Sequence, residues 1–214
     1  MTTKKSLVIT ALLCVVALTA SAWFYPLLPN QIASHWNIDG QVNGYMSKFW
    51  GVFFVPLIMI FLAGLFQILP RLDPTHHNPE ELRRQLNSFT VVLMLFLLLI
   101  HGLMLAWNLG YKIPFGVILP VFMGGLFYYL GELCLHVKRN WFVGVRTPWT
   151  LSSDAVWDKT NQLTGRLFKA CGIIAILSAL VPQYSLWFII IPLLATAAYS
   201  VAYSYYIYKQ QTAK

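Results

Sequence analysis

Long apolar runs alternate with short polar segments along the chain, and the runs fall at 7–28, 49–70, 89–109, 115–137, 167–181 and 186–208. A helix needs about 20 mostly apolar residues to cross a hydrocarbon core about 30 Å thick. Every run but 167–181 meets that length, and 167–181 also carries Lys169. It crosses if Lys169 snorkels to the headgroups and the helix extends toward Tyr184; the alternative is a re-entrant hairpin made with the last run. The pattern predicts an all-α polytopic membrane bundle of six transmembrane helices forming one integral membrane domain over 1–214. The longest connection, 138–166, leaves no room for a separate soluble domain.

Charge gives the bundle an orientation. With both termini inside and six crossings, the inner segments carry Lys4, Lys5, Arg71, Arg83, Arg84, Lys138, Arg139, Arg146, Lys159, Arg166, Lys169, Lys209 and Lys214, and the outer segments carry only Lys48 and Lys112. That bias is the one the positive-inside rule requires. It also accounts for the net charge of +8 without a nucleic-acid partner. Composition agrees: 58% of residues are hydrophobic and 10% charged, against about 25% charged in soluble domains. A soluble enzyme, a disordered chain and a secreted disulfide scaffold are excluded. Cys14, Cys134 and Cys171 each lie in an apolar run without CxxC spacing, which supports neither a disulfide framework nor a zinc site. Lys4-Lys5, an apolar stretch and Ala20-Ser21-Ala22 imitate a signal peptide, but the run continues through Trp23, Phe24 and Leu28, so an uncleaved helix is expected.

The connections hold the candidate chemistry. In the first outer segment, Pro29 can start a short helix with Ile32 and Trp36 on one face, followed by a turn at Asn37–Gly40 in which Gly40 takes positive φ. The expected shape is a short interfacial helix on the outer surface. Its aromatic residues serve either as headgroup anchors or, with His35, Trp36, Asp39, Gly40, Tyr45 and Lys48, as a recognition surface. The inner segment 71–88 carries His76-His77, which point different ways on a helix and chelate poorly as a pair, and Asn78, which can cap a helix. It reads as a solvated connector.

The inner segment 138–166 is richer than a connector needs to be. Pro148 keeps Thr147 out of helix, so Arg146–Trp149 is expected to be extended or turned. Ser152 or Ser153 then caps an amphipathic helix, helped by Asp154. On it Trp157, Asn161 and Gly165 share a face, and it runs into the fifth span. Arg146 can stack on an indole while bonding a carboxylate or carbonyls, and its nearest intramembrane carboxylate in sequence is Glu132. An ionisable group within a span is a functional-site hypothesis by default. Glu132 and His136 share a face near the inner end of span four and offer a place for a proton, a metal or Arg146, or simply face inner-leaflet water. His101 in span three reads as a hydrogen-bonded packing residue. No HExxH, GxSxG, Walker loop or intramembrane aspartate pair is present, so neither an enzyme, a metal site nor a cofactor is expected.

Two of these segments carry a resemblance. Asn140, then Val143-Gly144-Val145-Arg146-Thr147-Pro148-Trp149-Thr150-Leu151-Ser152, followed by Trp157 and Asn161, resembles the signature of the SdpI family of bacterial membrane proteins. The outer run Leu28-Pro29, Ile32, His35-Trp36, Gly40, Tyr45 and Lys48 resembles that family's N-terminal domain of unknown function. The matches lie in the halves 1–70 and 115–208. The chain departs from the family at Ala33, where Pro is usual, and at Glu132, where Asn is common, so no role for Glu132 follows from the resemblance. It implies a plasma-membrane immunity protein that protects its cell from a secreted peptide toxin and draws a cytosolic transcriptional repressor to the membrane. On that reading the outer loop meets the peptide, and the inner signature loop docks a soluble partner or braces the bundle. The competing expectations are a proton-linked transporter or channel using Glu132, His136 and His101, and a membrane metallohydrolase.

Overall fold

The computed structural model describes residues 1–37, 40–74 and 79–212. Seven helices are described: α1 (Thr3–Phe24), α2 (Lys48–Ile68), α3 (Pro79–Asn108), α4 (Phe115–His136), the short α5 (Pro148–Ser152), α6 (Asp154–Ser178) and α7 (Ser185–Thr212). Between α1 and α2 lie two strands, β1 (Gln31–Trp36) and β2 (Val42–Ser47). Among the described residues, five helical stretches are long and apolar enough to cross a membrane: Thr3–Leu27, Lys48–Arg71, Glu80–Asn108, Phe115–His136 and Pro182–Thr212. α6 has the length, at 25 residues. It lacks the apolarity, because its first turns carry Asp154, Asp158 and Lys159 and its middle carries Arg166 and Lys169. The inner amphipathic helix and the short fifth run are thus one continuous helix.

The chain forms two compact units, Met1–Ile68 with Leu86–Gly116, and Leu69–Gln85 with Val117–Lys214. In the first, α1 shows how a helix is arranged for lipid. Its buried positions are Ser6, Thr10, Cys14, Ala17 and Ser21, three or four residues apart. Its exposed positions include Leu7, Val8, Leu12, Val15 and Val16, between 46% and 59% accessible. A water-soluble helix would reverse that order. In lipid, helices associate through close packing of small side chains and interhelical hydrogen bonds, so the large apolar residues are left to face the chains. Polar groups tie the unit together: Ser6 Oγ donates to Asn87 O at 3.0 Å, and Asn87 Nδ2 donates to Thr3 Oγ1 at 3.1 Å. Cys14, Ala17, Met59 and Met94 form one apolar cluster; Leu28, Ile32, Val52, Met104 and Leu105 form another under the strands.

The second unit is held by glycine contacts between α4 and α6. A Cβ at Gly131 would stand 2.5 Å from Gly165 O, and one at Gly124 would stand 2.5 Å from Gly172 O. Both pairs are seven residues apart on each helix, two turns, so the backbones touch along one line. α6 meets α7 through small polar residues: Thr164 Oγ1 donates to Ser200 Oγ at 2.8 Å, and Cys171 Sγ lies 3.3 Å from Thr196 Oγ1.

Candidate functional site

The segment expected on the outer side is a β-hairpin, not the expected interfacial helix. Ile32 and Trp36 are four apart, and that spacing places two residues on one face of a helix and equally of a strand. Pairing decides the matter. β1 and β2 are antiparallel, with Gln31 opposite Ser47, Ile32 opposite Met46 and Ala33 opposite Tyr45, then an irregularity up to Trp36 opposite Val42. The turn closes as expected at Gly40, whose φ is +74°, with Asn37 Oδ1 accepting from Gln41 N at 2.8 Å. Asp39 lies outside the described residues. The hairpin rests on its own unit: Ile32 is fully buried, and a Cβ on Gly51 of α2 would stand 2.5 Å from its Cβ. Asn108 at the end of α3 acts as a missing strand residue. Its Oδ1 accepts from Ala33 N at 2.8 Å and its Nδ2 donates to Ala33 O at 3.1 Å.

The structure assigns the outer candidates different surroundings. Trp36 packs into an aromatic cluster, its ring centroid 5.8 Å from Trp107 and 4.4 Å from Phe115. His35 is exposed and its Nδ1 pairs with Asn43 Oδ1. Lys48 Nζ stands 4.8 Å over the Tyr25 ring. Tyr45 projects outward at 60% exposure. His101 is fully buried, its Nε2 2.9 Å from Ser21 Oγ. Ser21 Oγ donates to Val52 O at 3.0 Å, so it accepts the His101 Nε2–H, and the three residues link α1, α2 and α3. That is packing chemistry.

The signature loop, expected on the inner side, is folded as a tight cap on the second unit. Asn140 is 2% exposed. Its Oδ1 accepts from Phe142 N and Val143 N, and its Nδ2 donates to Lys138 O and Val143 O. Gly144 has φ +105°, and a Cβ there would stand 2.5 Å from Asn161 Oδ1; both facts demand glycine. The freed space lets Asn161 Oδ1 accept from Val145 N at 2.8 Å. Trp157, fully buried, donates from Nε1 to Val137 O at 2.9 Å. Thr147 stays extended, as expected, but helix resumes at once: Pro148 is the first residue of α5, so Trp149 is helical rather than extended. Thr147 and Thr150 form a reciprocal capping box, and Thr150 Oγ1 donates to Val145 O at 2.7 Å. The loop is joined to α7 by Thr147 Oγ1 to Ser204 Oγ, 3.1 Å, and by Trp149 against Tyr205, 4.9 Å between centroids. Ser153 caps α6 by accepting from Val156 N.

Arg146 stands apart from this brace. Nη1 donates to Trp141 O at 2.9 Å and the residue is exposed, as is Trp141 at 49%. Glu132 is not its partner. Lys169 Nζ, from α6, donates to Glu132 Oε2 at 2.6 Å, and His136 Nδ1 lies 3.3 Å from Oε1. The residue that braces the loop ionically is Arg139, which the sequence reading passed over. Its Nη1 donates to Leu151 O at 2.7 Å and its Nε lies 2.9 Å from Asp154 Oδ1. A cleft of about 280 Å³ opens beside the loop, lined by Glu81, His136, Lys138, Asp158, Asn161 and Gln162 among others. Among the described residues no group of three or more His, Cys, Asp or Glu side chains is placed to hold a metal ion.

Fold and site together define a polytopic helical membrane protein with a paired-strand loop in one unit and a hydrogen-bonded Arg-Thr-Pro-Trp cap in the other. Residues 136–204, which span that cap, match the SdpI/YfhL protein family, and residues 12–60, which span the hairpin, match a domain of unknown function, DUF1648. Over 208 residues, 97% of each chain, the sequence is 28% identical to Immunity protein SdpI of Bacillus subtilis strain 168. No solved structure matches the chain. The resemblance carried by the two loops therefore extends over nearly the whole length, and the chain is a multi-pass cell-membrane protein similar to that immunity protein.

Proposed function

We propose that this protein is a membrane immunity protein, protecting its cell against a secreted membrane-active peptide. The observation that carries the reading is similarity over 97% of the chain to a protein named for immunity, with the SdpI/YfhL family match spanning the residues that build the cap. In the proposed topology α6 completes six crossings with both termini inside, as the distribution of Lys and Arg favours. The hairpin then faces the peptide with exposed His35 and Tyr45, while Trp36 packs against Trp107 and Phe115 and Lys48 lies against Tyr25. Among the cap residues, Asn140, Gly144, Thr147, Pro148, Thr150, Trp157 and Asn161 brace, while exposed Arg146 and Trp141 present a cytosolic surface to a soluble partner of repressor type. The polar residues within the helices are engaged with one another, Glu132 with Lys169 and His101 with Ser21, which favours a structural role for them over a transport path.

The test is a deletion strain challenged with the peptide secreted by its siblings. Deletion is expected to sensitise cells, and complementation with Tyr45→Ala is expected to leave them sensitive although the protein accumulates in the membrane. Arg146→Ala is expected to keep protection and to lose the transcriptional response. Full resistance of the deletion strain would contradict immunity.

A further inference from the structure

We infer that the outer edge of β2 is a docking edge for an extended peptide, which would join the hairpin as a third strand. This rests on the immunity reading only for the source of the peptide; the edge itself is read from the register. Lys48 N donates to Asn30 O at 3.0 Å, which makes Asn30–Lys48 a hydrogen-bonded pair. Antiparallel pairs alternate, so Ile32–Met46 is also bonded, while Gln31–Ser47 and Ala33–Tyr45 direct their backbone groups away from each other. The Asn108 clamp confirms the phase on one side, because both groups of Ala33 that it engages point away from β2. The same phase on the other side turns Tyr45 N–H, Tyr45 C=O and Ser47 N–H outward, two residues apart as a pairing strand requires.

The two edges are therefore unequal. One is closed at Ala33 by a side chain built for it; on the other, among the described residues, no third strand pairs with Tyr45 or Ser47, and the Tyr45 side chain is 60% exposed. The occupant's size follows from that of the edge. β2 has six residues, about 20 Å of strand, which suits a short peptide and is too little for the roughly 1,200–2,000 Å² of a stable protein–protein interface. Its chemistry follows from Tyr45, the large side chain exposed beside that edge, since Lys48 opens α2 and lies against Tyr25: an uncharged strand with an apolar residue to lie against Tyr45.

The experiment uses the full-length protein in nanodiscs and a capped peptide of alternating threonine and valine. The control peptide has every backbone amide N-methylated, so that neither of its edges can donate to a neighbouring strand. Amide exchange at Tyr45 is expected to slow at least tenfold with the first peptide and not with the second. Ser47→Pro removes an outward N–H without touching the ladder and is expected to weaken binding at least tenfold, whereas Ser47→Ala binds as the unchanged protein does. Equal binding of both peptides, or no slowing at Tyr45, overturns the proposal. So does a Tyr45 amide already protected without peptide together with Ser47→Cys disulfide dimers, which would give the edge to a second copy. If the edge binds and the deletion strain stays resistant, the immunity reading fails and the docking edge stands; if the strain is sensitised and the edge does not bind, the reverse holds.

Discussion

Gly144 and Trp157 are where single atoms decide the shape of the cap. Gly144→Ala combines a backbone angle unfavourable to any side chain with a Cβ driven against Asn161 Oδ1. A loss of about 2–4 kcal/mol is expected from strain and overpacking together, read by thermal unfolding in detergent. Trp157→Phe keeps most of the packing and strands the buried Val137 carbonyl, at a cost of about 1–3 kcal/mol; it should lower the melting temperature without altering membrane insertion. Both roles were partly legible. The run of residues announced a structured loop, and Trp157 and Asn161 were placed on one helical face. What no local pattern reveals is the partner across space. Arg146 attracted attention because Arg among tryptophans is conspicuous, yet Arg139 makes the ion pair, with Asp154 fifteen residues on, and Lys169 takes Glu132.

At the scale of elements, the hairpin and α6 hold the lessons. A four-residue spacing of Ile32 and Trp36 fits both helix and strand, so one segment alone could not reveal the hairpin; the answer lay in the second run, Val42–Ser47, able to pair with it across a turn at Gly40. Removing the side chain that mimics a strand, Asn108→Ala, is expected to speed amide exchange at Ala33 by an order of magnitude or more while leaving α1 and α2 unaffected. The run at 167–181 looked too short because hydropathy stops where charge begins, whereas helix continues upstream to Asp154 on caps and on packing against α7. Close contact of α4 and α6 depends on glycine. Gly131→Leu should force the helices apart and destabilise the protein by about 1–3 kcal/mol or more, and Gly64→Leu, where a Cβ would meet nothing within 4 Å, is the matched control that should cost little.

For the molecule as a whole, the proposed topology has the hairpin outside the cell and the signature cap within it, so that a single chain would serve a peptide on one side and a soluble partner on the other. Hydropathy made the five long membrane helices legible, and residue type made both functional loops legible as more than linkers. Sidedness rests on charge distribution and on α6 crossing. The direct measurement replaces Cys14, Cys134 and Cys171 with serine, introduces Tyr45→Cys or Trp141→Cys at exposed positions, and treats intact cells with a membrane-impermeant thiol reagent. Labelling of the Tyr45→Cys protein in intact cells, with the Trp141→Cys protein labelled only after the membrane is permeabilised, is the expected result; labelling of both, or of neither, before permeabilisation would contradict the account.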